Sequence, residues 1–463
     1  MTDDARLGST MSRRWLFRAA GVGAAALAAP AVAAATPRPA VTPAVTPLQL
    51  GNVCSSTPLF TDTRFPIGAF WPPPPSQSTA ANYADMAAAG FTFFVTGNYQ
   101  LDPQSIDYAL GFADQNNMKA IVASDPSVKT VGEMFTIDDS RSGPLTISTA
   151  DARALIQQAT ARYAKHPSFA GFSLYDEPDL LGSRNVSLGR AGQIVHEMAP
   201  SAMAYTNLSY ALEVDYAKTL SNFVSQVAPP LLSFDYYPLR HDGEATNFFQ
   251  CWAQVRQAGL DSGLPTWTYI QTLASDQLKE PTAADLAWQV NVSLAYGCKG
   301  IQYFTYWTPD PGRGEGFGPA LIDMNGAKTA RYGYSQTLNN TWLAPAGKEM
   351  LPLVSESVVH ANESSQTAGT APFSPDGYLT SVAGTVVLGR FRSPNTAVKD
   401  RWVFVANRSN TAAANVTLNT NASTVHGVGK FDSAKGAYTA QSGSQITMSL
   451  PAGGAALYKL SAS

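Results

Sequence analysis

The chain has 463 residues, of which 45% are apolar and only 14% are charged, and its formal net charge is −3. A chain of this length has room for more than one domain, and its apolar content excludes global disorder. The lack of a basic surplus argues against a duplex nucleic-acid binder, because such a protein needs a positively charged face.

The first 35 residues predict an export signal. Arg13 and Arg14 precede a run of mostly Ala, Gly and Val that ends at Ala35. A basic start, a weakly apolar stretch and small residues at the cleavage position are typical of a secretory signal, and the arginine pair resembles that of twin-arginine export. The alternative is a transmembrane anchor, which the short run and Pro30 disfavour. We therefore expect a secreted protein that is free of the membrane once the signal is removed.

A proline-rich segment, residues 36–64, follows the signal and is predicted to be an extended linker. It contains Cys54, and the other two cysteines are Cys251 and Cys298. Three cysteines do not make a disulfide scaffold, and their odd number leaves two alternatives open. Either one disulfide forms, with Cys251–Cys298 as the candidate pair, or all three thiols are free.

Residues 65–350 repeat one pattern eight times, a short apolar strand followed by a helical stretch. Strands are predicted at 67–71, 91–98, 119–125, 170–177, 203–209, 231–237, 265–272 and 300–307. Helices are predicted at 80–89, 105–116, 150–165, 188–198, 216–227, 247–258 and 283–296. This alternation favours a parallel sheet, and eight repeats fit a closed (β/α)8 barrel. An open doubly wound sheet is disfavoured because no Gly-x-Gly-x-x-Gly turn follows the first strand.

Two long loops, residues 126–148 and 308–328, follow the third and eighth strands and are predicted to border the active site. From residue 351 to 463, short alternating strands are separated by Gly-, Ser-, Thr- and Asn-rich turns. These strands are predicted at 378–382, 386–392, 401–407, 414–419 and 455–460. The expected fold is therefore α/β, a TIM barrel followed by a small all-β sandwich domain.

The fourth predicted strand ends in Tyr175-Asp176-Glu177-Pro178. With a side-chain period of two, Ser173, Tyr175 and Glu177 are expected to share the face that points over the barrel mouth. A carboxyl group in this aromatic setting suits a proton donor. The alternative role of Glu177 is an acid at a helix N-terminus, where the helix dipole favours it.

Three strand ends together resemble those of the clan A glycoside hydrolases, (β/α)8 enzymes that cleave sugar–sugar bonds. They are the fourth strand end, the sixth with Ser233-Phe-Asp-Tyr-Tyr-Pro238 and the eighth with Gly300-Ile-Gln-Tyr-Phe-Thr-Tyr-Trp307. The C-terminal domain also looks like the sandwich that many such enzymes carry. In that clan a glutamate at the end of strand 4 is the general acid/base, and the resemblance implies this role for Glu177.

Two positions depart from the pattern of the clan. Asp176 stands where the clan usually has Asn. The nucleophile of the clan is a glutamate at the end of strand 7, and the matching residue here is Gln271. A neutral amide cannot attack an anomeric carbon as a carboxylate does, so the second catalytic group has to be sought elsewhere.

Asp235 is the candidate for this second carboxylate. It is expected to share the inward face of the sixth strand with Ser233, while Phe234 faces the helices. Strands lie about 4.8 Å apart, and two carboxyls about 6.5–9.5 Å apart hydrolyse a glycoside with inversion, so strands four and six fit an inverting pair. Asp176 and Asp125 are reserve candidates, and Asp235 could instead bind a sugar hydroxyl or form an ion pair.

Aromatic and polar side chains at the strand ends are expected to bind sugar, because rings stack on the C–H faces of sugars and polar groups bind hydroxyls. The aromatic candidates are Trp71, Tyr99, Tyr175, Tyr236, Tyr237, Tyr306 and Trp307. The polar candidates are Asn98, Asp125, Asp176, Asn207 and Gln271. Metal hydrolases and α/β-hydrolases are disfavoured because no His-x-x-His, Cys-x-x-Cys or Gly-x-Ser-x-Gly occurs. No cofactor or metal is expected.

The sequence thus predicts a secreted glycoside hydrolase that acts on a carbohydrate, with Glu177 as general acid and Asp235 as general base. Two alternatives stay open. Gln271 motivates a catalytically silent carbohydrate-binding barrel, and a retaining glycosidase with another nucleophile is also consistent with the pattern.

Overall fold

The structure, a computed structural model, describes residues 56–133, 147–313 and 316–462. The predicted signal and the linker up to Ser55 lie outside the described residues, as do parts of both predicted loops. The described end of the predicted linker forms a short helix, α1 (Pro58–Thr61), whose Leu59 is buried. In the described ranges, no helix is long and apolar enough to cross a membrane.

Eight parallel strands form a closed barrel. They are β1 (Ile67–Phe70), β2 (Phe93–Val95), β3 (Lys119–Val122), β4 (Phe169–Asp176), β5 (Met203–Ser209), β6 (Leu232–Asp235), β7 (Thr266–Gln271) and β8 (Gly300–Phe304). The barrel closes because β1 pairs with both β2 and β8. Each strand overlaps its predicted range, so the closed barrel is confirmed.

Helices surround the barrel. They are α2 (Ala80–Ala88), α3 (Pro103–Gln115), α4 (Pro126–Glu133), α5 (Thr149–Tyr163), α6 (Asn185–Met198), α7 (Tyr216–Val227), α8 (Phe248–Ser262), α9 (Ala283–Ala295), α10 (Ala330–Leu338) and α11 (Ala344–Met350). Thr282 begins α9 with a capping box to Asp285, as its Thr-x-x-Asp pattern favours. Helix α4 lies in a segment that was expected to be a loop, and that expectation is wrong for residues 126–133.

Alternating residues of the strands divide between two apolar cores. Inside the barrel, Phe70, Tyr205, Trp267, Tyr269 and Phe304 belong to one cluster. The opposite strand faces pack against the helices, as where Phe234 of β6 meets Trp252 of α8 edge-on at 4.8 Å. Asp235 follows Phe234 and points inward, as the period of two predicts.

Two antiparallel sheets form the C-terminal region. In chain order their strands are β9 (Val354–Ala361), β10 (Leu379–Ala383), β11 (Val386–Arg392), β12 (Arg401–Asn407), β13 (Ala414–Thr420), β14 (Val425–Asp432), β15 (Ala437–Gln441), β16 (Gln445–Leu450) and β17 (Ala455–Ala462). One sheet has the order β9-β11-β12-β17-β14-β15 and the other β10-β13-β16. Leu388 and Val403 of the first sheet share a core with Leu418 and Ile446 of the second. The predicted β-sandwich is therefore confirmed.

Arg408, which follows β12, connects the sandwich to the barrel. Its guanidinium donates two hydrogen bonds to Glu244, of 2.7 and 2.9 Å, and a third of 2.6 Å to Glu363. Glu244 lies on a short hairpin of the barrel that pairs residues Leu239–Arg240 with Gly243–Glu244.

Cys251 on α8 and Cys298 before β8 are buried free thiols, so the candidate disulfide between them is not formed. Burial raises the pKa of Cys298 to about 12, which keeps this thiol protonated at neutral pH. Cys54 lies outside the described residues.

Candidate active site

The two predicted catalytic carboxyl groups lie on either side of β5. Glu177 directly follows β4, and its backbone N–H donates a 2.9 Å hydrogen bond to the carbonyl oxygen of Asn207. Asp235 ends β6, and its Oδ1 accepts a 2.6 Å hydrogen bond from Nδ2 of Asn207. Both acids are buried. One residue of β5 therefore fixes the backbone of Glu177 and the carboxylate of Asp235 at the C-terminal end of the barrel.

A chain of hydrogen bonds continues from Asn207 into the barrel. The Ser233 hydroxyl donates to Oδ1 of Asn207 at 2.7 Å and shares a 2.7 Å hydrogen bond with the Tyr205 hydroxyl. Nε2 of Gln302 donates to the Tyr205 hydroxyl at 2.9 Å. Since both ends of the Asn207 amide are engaged, its amide nitrogen is directed at Asp235 and the Asp235 carboxylate is held in one orientation.

Four non-glycine residues at the same end of the barrel have an unfavourable backbone conformation. Trp71 after β1 (φ 64°), Asn98 and Tyr99 after β2 (φ 52° and 68°) and Glu177 after β4 (φ 48°) have left-handed backbones. This conformation costs a non-glycine residue about 1–2 kcal/mol. Such residues cluster at functional sites, where the surrounding structure imposes them. All four residues directly follow barrel strands at the C-terminal mouth or lie in the first turn after them.

A β-bulge in β4 changes which side chains face the barrel interior. The pairing of β4 with β5 shifts between Ser173 and Tyr175. Beyond the bulge, Tyr175 lies beside Thr206 and Asp176 beside Asn207. Neighbouring residues of parallel strands point to the same face, so Asp176 turns toward the interior with Asn207.

The expected shared face of Ser173, Tyr175 and Glu177 is therefore wrong for Tyr175. Its ring packs against the helix-side core and lies under the Arg184 guanidinium, 4.5 Å from the ring centroid. Asp176, a reserve candidate, occupies the inward position instead. Three acidic residues, Asp176, Glu177 and Asp235, thus lie at or directly after the ends of β4 and β6.

Most of the aromatic residues predicted at the strand ends also divide between the barrel interior and the helix-side core. Trp71 and Tyr237 belong to the inner cluster, where Trp71 stacks beside Phe70 at 5.9 Å and Tyr237 on Phe304 at 5.3 Å. Together, Trp71, Phe70, Tyr237 and Phe304 form an aromatic wall inside the barrel. Phe70 and Phe304 were not among the aromatic residues predicted from the sequence. They occupy inward positions of β1 and β8, and the alternation of these strands could have identified them.

Tyr236, Tyr306 and Trp307 lie in the helix-side core, so their expected convergence on the rim is wrong. The chain turns after β8, where the Tyr306 N–H bonds to the Phe70 carbonyl at 2.9 Å and the Tyr306 ring meets Phe91 edge-on. The described part of the loop at 308–328 contributes Phe317, which contacts the Phe304 ring at 5.7 Å. This loop therefore forms part of the aromatic wall.

The two remaining amide candidates are held by backbone carbonyls. Nδ2 of Asn98 donates to Pro72 at 2.9 Å. Nε2 of Gln271 donates to the carbonyl oxygens of Lys279 at 2.7 Å and Leu273 at 3.2 Å. A carboxylate in place of the Gln271 amide would face two acceptors with no hydrogen to donate.

Asp125 is a structural residue of the barrel. One carboxylate oxygen accepts from the backbone N–H groups of Ser127 and Val128 and so caps α4. The other accepts from Arg162 at 2.9 Å and from the Tyr163 hydroxyl at 2.7 Å. With four protein donors on its buried carboxylate, Asp125 is removed from the substrate-binding candidates.

Within the described ranges, no group of three or more His, Cys, Asp or Glu side chains is placed to hold a metal ion.

No family model and no curated protein matches the chain. Among solved structures, the GH27 β-L-arabinopyranosidase from Geobacillus stearothermophilus is 9% identical, with a TM-score of 0.51 over 89% of this chain and 98% of that chain. A family 39 glycoside hydrolase from Bacteroides cellulosilyticus WH2 is 12% identical, with a TM-score of 0.48 over 89% of this chain and 82% of that one. A β-galactosidase from Halorubrum lacusprofundi is 15% identical, with a TM-score of 0.42 over 59% of this chain and only 57% of that one.

These structural neighbours are glycosidases. At such identities the likeness to the arabinopyranosidase is a likeness of fold, a (β/α)8 barrel followed by a β-sandwich. The fold alone does not assign an activity, because one barrel fold hosts many chemistries. An activity has to be argued from the side chains described above.

Proposed function

We propose that the chain is a glycoside hydrolase that cleaves O-glycosidic bonds of an oligo- or polysaccharide. Glu177 is the general acid and Asp235 the general base. The observation that carries the proposal is that Glu177 and Asp235 are both buried and both hydrogen-bonded to Asn207, Glu177 through its backbone N–H and Asp235 through its carboxylate. They lie at the end of the barrel where such enzymes work. The fold likeness to a glycosidase supports this substrate class.

The proposed reaction uses both acids in one step. Glu177 gives its proton to the glycosidic oxygen as the bond from that oxygen to the anomeric carbon breaks. Asp235 takes a proton from a water molecule whose oxygen forms the new bond to the same carbon. The products are an alcohol and a hemiacetal of inverted configuration, and the proton on Asp235 returns through solvent to Glu177.

Inversion follows from the residues available. The position of the clan nucleophile holds the Gln271 amide, which is bound to two backbone carbonyls. The carboxyls of Glu177 and Asp235 belong to strands separated by β5, and two strand spacings of about 4.8 Å leave room for a water between them. Asp176, on the inward face next to Asn207, is proposed to bind a sugar hydroxyl.

The aromatic wall is proposed to bind the sugar rings, with Trp71 and Tyr237 as stacking surfaces and Asn98 beside them. We also propose that residues 1–35 export the protein, that residues 65–350 form the catalytic domain and residues 351–463 the sandwich domain, and that the substrate is extracellular carbohydrate. Asn207 is proposed as a positioning residue for both acids.

Glu177→Gln tests the proposal after the wild-type protein is screened against plant, fungal and bacterial polysaccharides. Loss of the general acid should lower kcat by about 10²–10⁴-fold while sugar binding, followed by calorimetry, is retained. The exposed Glu197 gives a matched control, because Glu197→Gln makes the same chemical change outside the site. A wild-type protein that binds sugar and hydrolyses nothing would instead be a carbohydrate-binding barrel.

Proton NMR of the first-formed product tests the stereochemistry. The inverting mechanism predicts that the new hemiacetal has the anomeric configuration opposite to that of the substrate. Retention would remove Asp235 as the base and require a carboxylate nucleophile, for which Asp176 is then the residue to test.

A further inference from the structure

A second cleft lies at the opposite end of the barrel, where the strands begin. It has a volume of about 430 Å³, within the range of small-molecule sites. Its walls come from the residues that precede β1, β7 and β8, from the C-terminal half of α8 and from the chain that leads into β9. Because all eight strands run parallel, this cleft is separated from Glu177 and Asp235 by the packed barrel interior.

The walls of the cleft are mostly apolar. Leu59 and Phe60 come from α1, Leu260 from α8, Leu264 from the turn before β7 and Leu351 from the turn after α11. Leu260 is 38% exposed. The lining suits a ligand with an apolar body.

Two cationic side chains also line the cleft, Arg256 and Lys299. Among the described residues, no carboxylate forms an ion pair with either of them. Nζ of Lys299 donates to the carbonyl oxygens of Met350 and Leu353, both at 2.6 Å. Nε of Arg256 donates to the Ser355 hydroxyl at 2.8 Å. The hydrogen-bond acceptors that these two cations contact in the described residues are therefore all neutral.

Arg256 has hydrogen-bonding capacity left over. Its Nη2 is buried and has no partner among the residues that the structure describes, and the same is true of Nε1 of Trp267, which lines the cleft. Leaving a buried donor unsatisfied costs about 1–3 kcal/mol, and more for a charged group. A bound ligand that accepts hydrogen bonds would account for these two unpaired donors.

Burial acts on both cations in the same direction. It lowers the pKa of Lys299 to about 8 and also lowers the pKa of Arg256. A negative charge inside the cleft would oppose this effect, because an opposite charge favours the protonated form of each side chain.

We propose that this cleft binds a small organic acid, whose carboxylate accepts hydrogen bonds from Nη2 of Arg256 and whose aliphatic body lies against Leu260, Leu264 and Leu351. Lys299 adds positive charge to the same cleft, and Trp267 adds an unpaired N–H. The site is separate from the proposed hydrolytic site and does not depend on it.

Decanoate is a suitable probe, because it joins one carboxylate to an apolar chain. Isothermal titration calorimetry of the whole chain should show one decanoate bound per chain and at least tenfold weaker binding of decanol. Arg256→Gln should weaken decanoate at least tenfold and leave decanol unchanged. Arg153→Gln removes an exposed arginine that pairs with Glu197, and it should leave both affinities unchanged.

A second variant separates loss of the site from loss of the fold. Leu260→Trp places a larger ring at the half-open wall of the cleft and should block decanoate while the melting temperature stays near that of the wild type. The proposal is overturned if wild-type protein binds no decanoate, or if Arg256→Gln binds it as well as the wild type does. It is also overturned if the cleft proves to be a contact between two copies, seen as a dimer in sedimentation that Leu260→Asp dissociates.

Discussion

The side-chain amide of Asn207 donates a hydrogen bond of 2.6 Å to the carboxylate of Asp235 across two neighbouring barrel strands. The carbonyl oxygen of the same Asn207 accepts the backbone N–H of Glu177. Both proposed catalytic acids are thus tied to one residue that itself has no acid–base role. The spacing of the two carboxyl groups should therefore depend on Asn207.

Asn207→Ala should lower kcat by about 100-fold, because a catalytic group displaced by about 1 Å loses rate on that scale. KM should change little, since the aromatic wall that is proposed to bind sugar remains. Steady-state kinetics that report kcat and KM separately will measure this split.

Asn291 supplies a matched control for Asn207→Ala. It is a buried asparagine of α9 that donates to Gly453 at 2.8 Å and accepts from Trp342 at 2.6 Å, away from the barrel mouth. Asn291→Ala should lower the melting temperature and leave kcat unchanged. Equal losses of kcat in both variants would show that Asn207 acts only through stability.

The leaving group offers a second test of the roles of Glu177 and Asp235. A dinitrophenyl glycoside needs no proton on its leaving oxygen, whereas a sugar–sugar bond does. Glu177→Gln should therefore be slow on the natural substrate and close to wild-type on the activated one, while Asp235→Asn should be slow on both. If activation of the leaving group rescues Asp235→Asn instead, the acid and base assignments are exchanged.

Much of the barrel could be predicted because its strands are buried on both faces and read as short apolar runs between capped helices. The inward position of Asp235 also followed from sequence, since β6 is regular and its period of two holds from Ser233 to Asp235. The C-terminal strands β11 and β12 were predicted with their observed bounds for a similar reason, a clear alternation between turns.

The parts that failed depend on local irregularities that a pattern does not record. The bulge in β4 between Ser173 and Tyr175 moved Tyr175 outward and Asp176 inward, because one extra residue exchanges the faces of the strand residues that follow it. The chain bends after Phe304, which took Tyr306 into the helix-side core. Helix α4 was missed although its signal was present, since Asp125 followed by Pro126 is typical of a helix start.

The third prediction is that the substitution Gln271→Glu will not create a catalytic nucleophile. The Gln271→Glu carboxylate would face the carbonyls of Leu273 and Lys279 without a hydrogen to donate, so it should cost about 1–3 kcal/mol of stability. Thermal unfolding should show a clear loss for Gln271→Glu and none for Gln277→Glu, the same change at an exposed position. A Gln271→Glu protein that turns over faster with retention would contradict this assignment.

Gly97 lies directly against the Trp71 indole. A Cβ at Gly97 would lie 2.9 Å from Cδ1 and Nε1 of Trp71, too close for the ring to stay where it is. If Trp71 stacks on sugar, Gly97→Ala should raise KM by up to about tenfold, the equivalent of one aromatic contact of about 1.4 kcal/mol. Gly111 on α3 has open space around it, and Gly111→Ala should leave KM unchanged and stabilise the protein by about 0.5–1 kcal/mol.

The contact that Arg408 makes between barrel and sandwich predicts how the stability of the protein depends on pH. Burial by itself raises the pKa of Glu363, but hydrogen bonds and charge from His360 and a hydrogen bond from Arg408 outweigh burial and lower this pKa to about 2. Glu363 is therefore ionised in the folded protein over a range in which an unfolded chain already binds a proton. Stability from Glu363 should be present above about pH 4.5 and should be lost as the pH falls toward 2.

Glu363→Gln tests this dependence. At pH 7 the variant should be less stable than the wild type by about 2 kcal/mol, the order expected for charge-assisted hydrogen bonds, and the difference should shrink as the pH falls from 5 to 3. Thermal unfolding at a series of pH values, with Glu197→Gln as a surface control, will measure the change. The exposed Glu197 pair with Arg153 should contribute little at any pH. A difference between wild type and Glu363→Gln that stays constant down to pH 3 would show that Glu363 stabilises the contact without its charge.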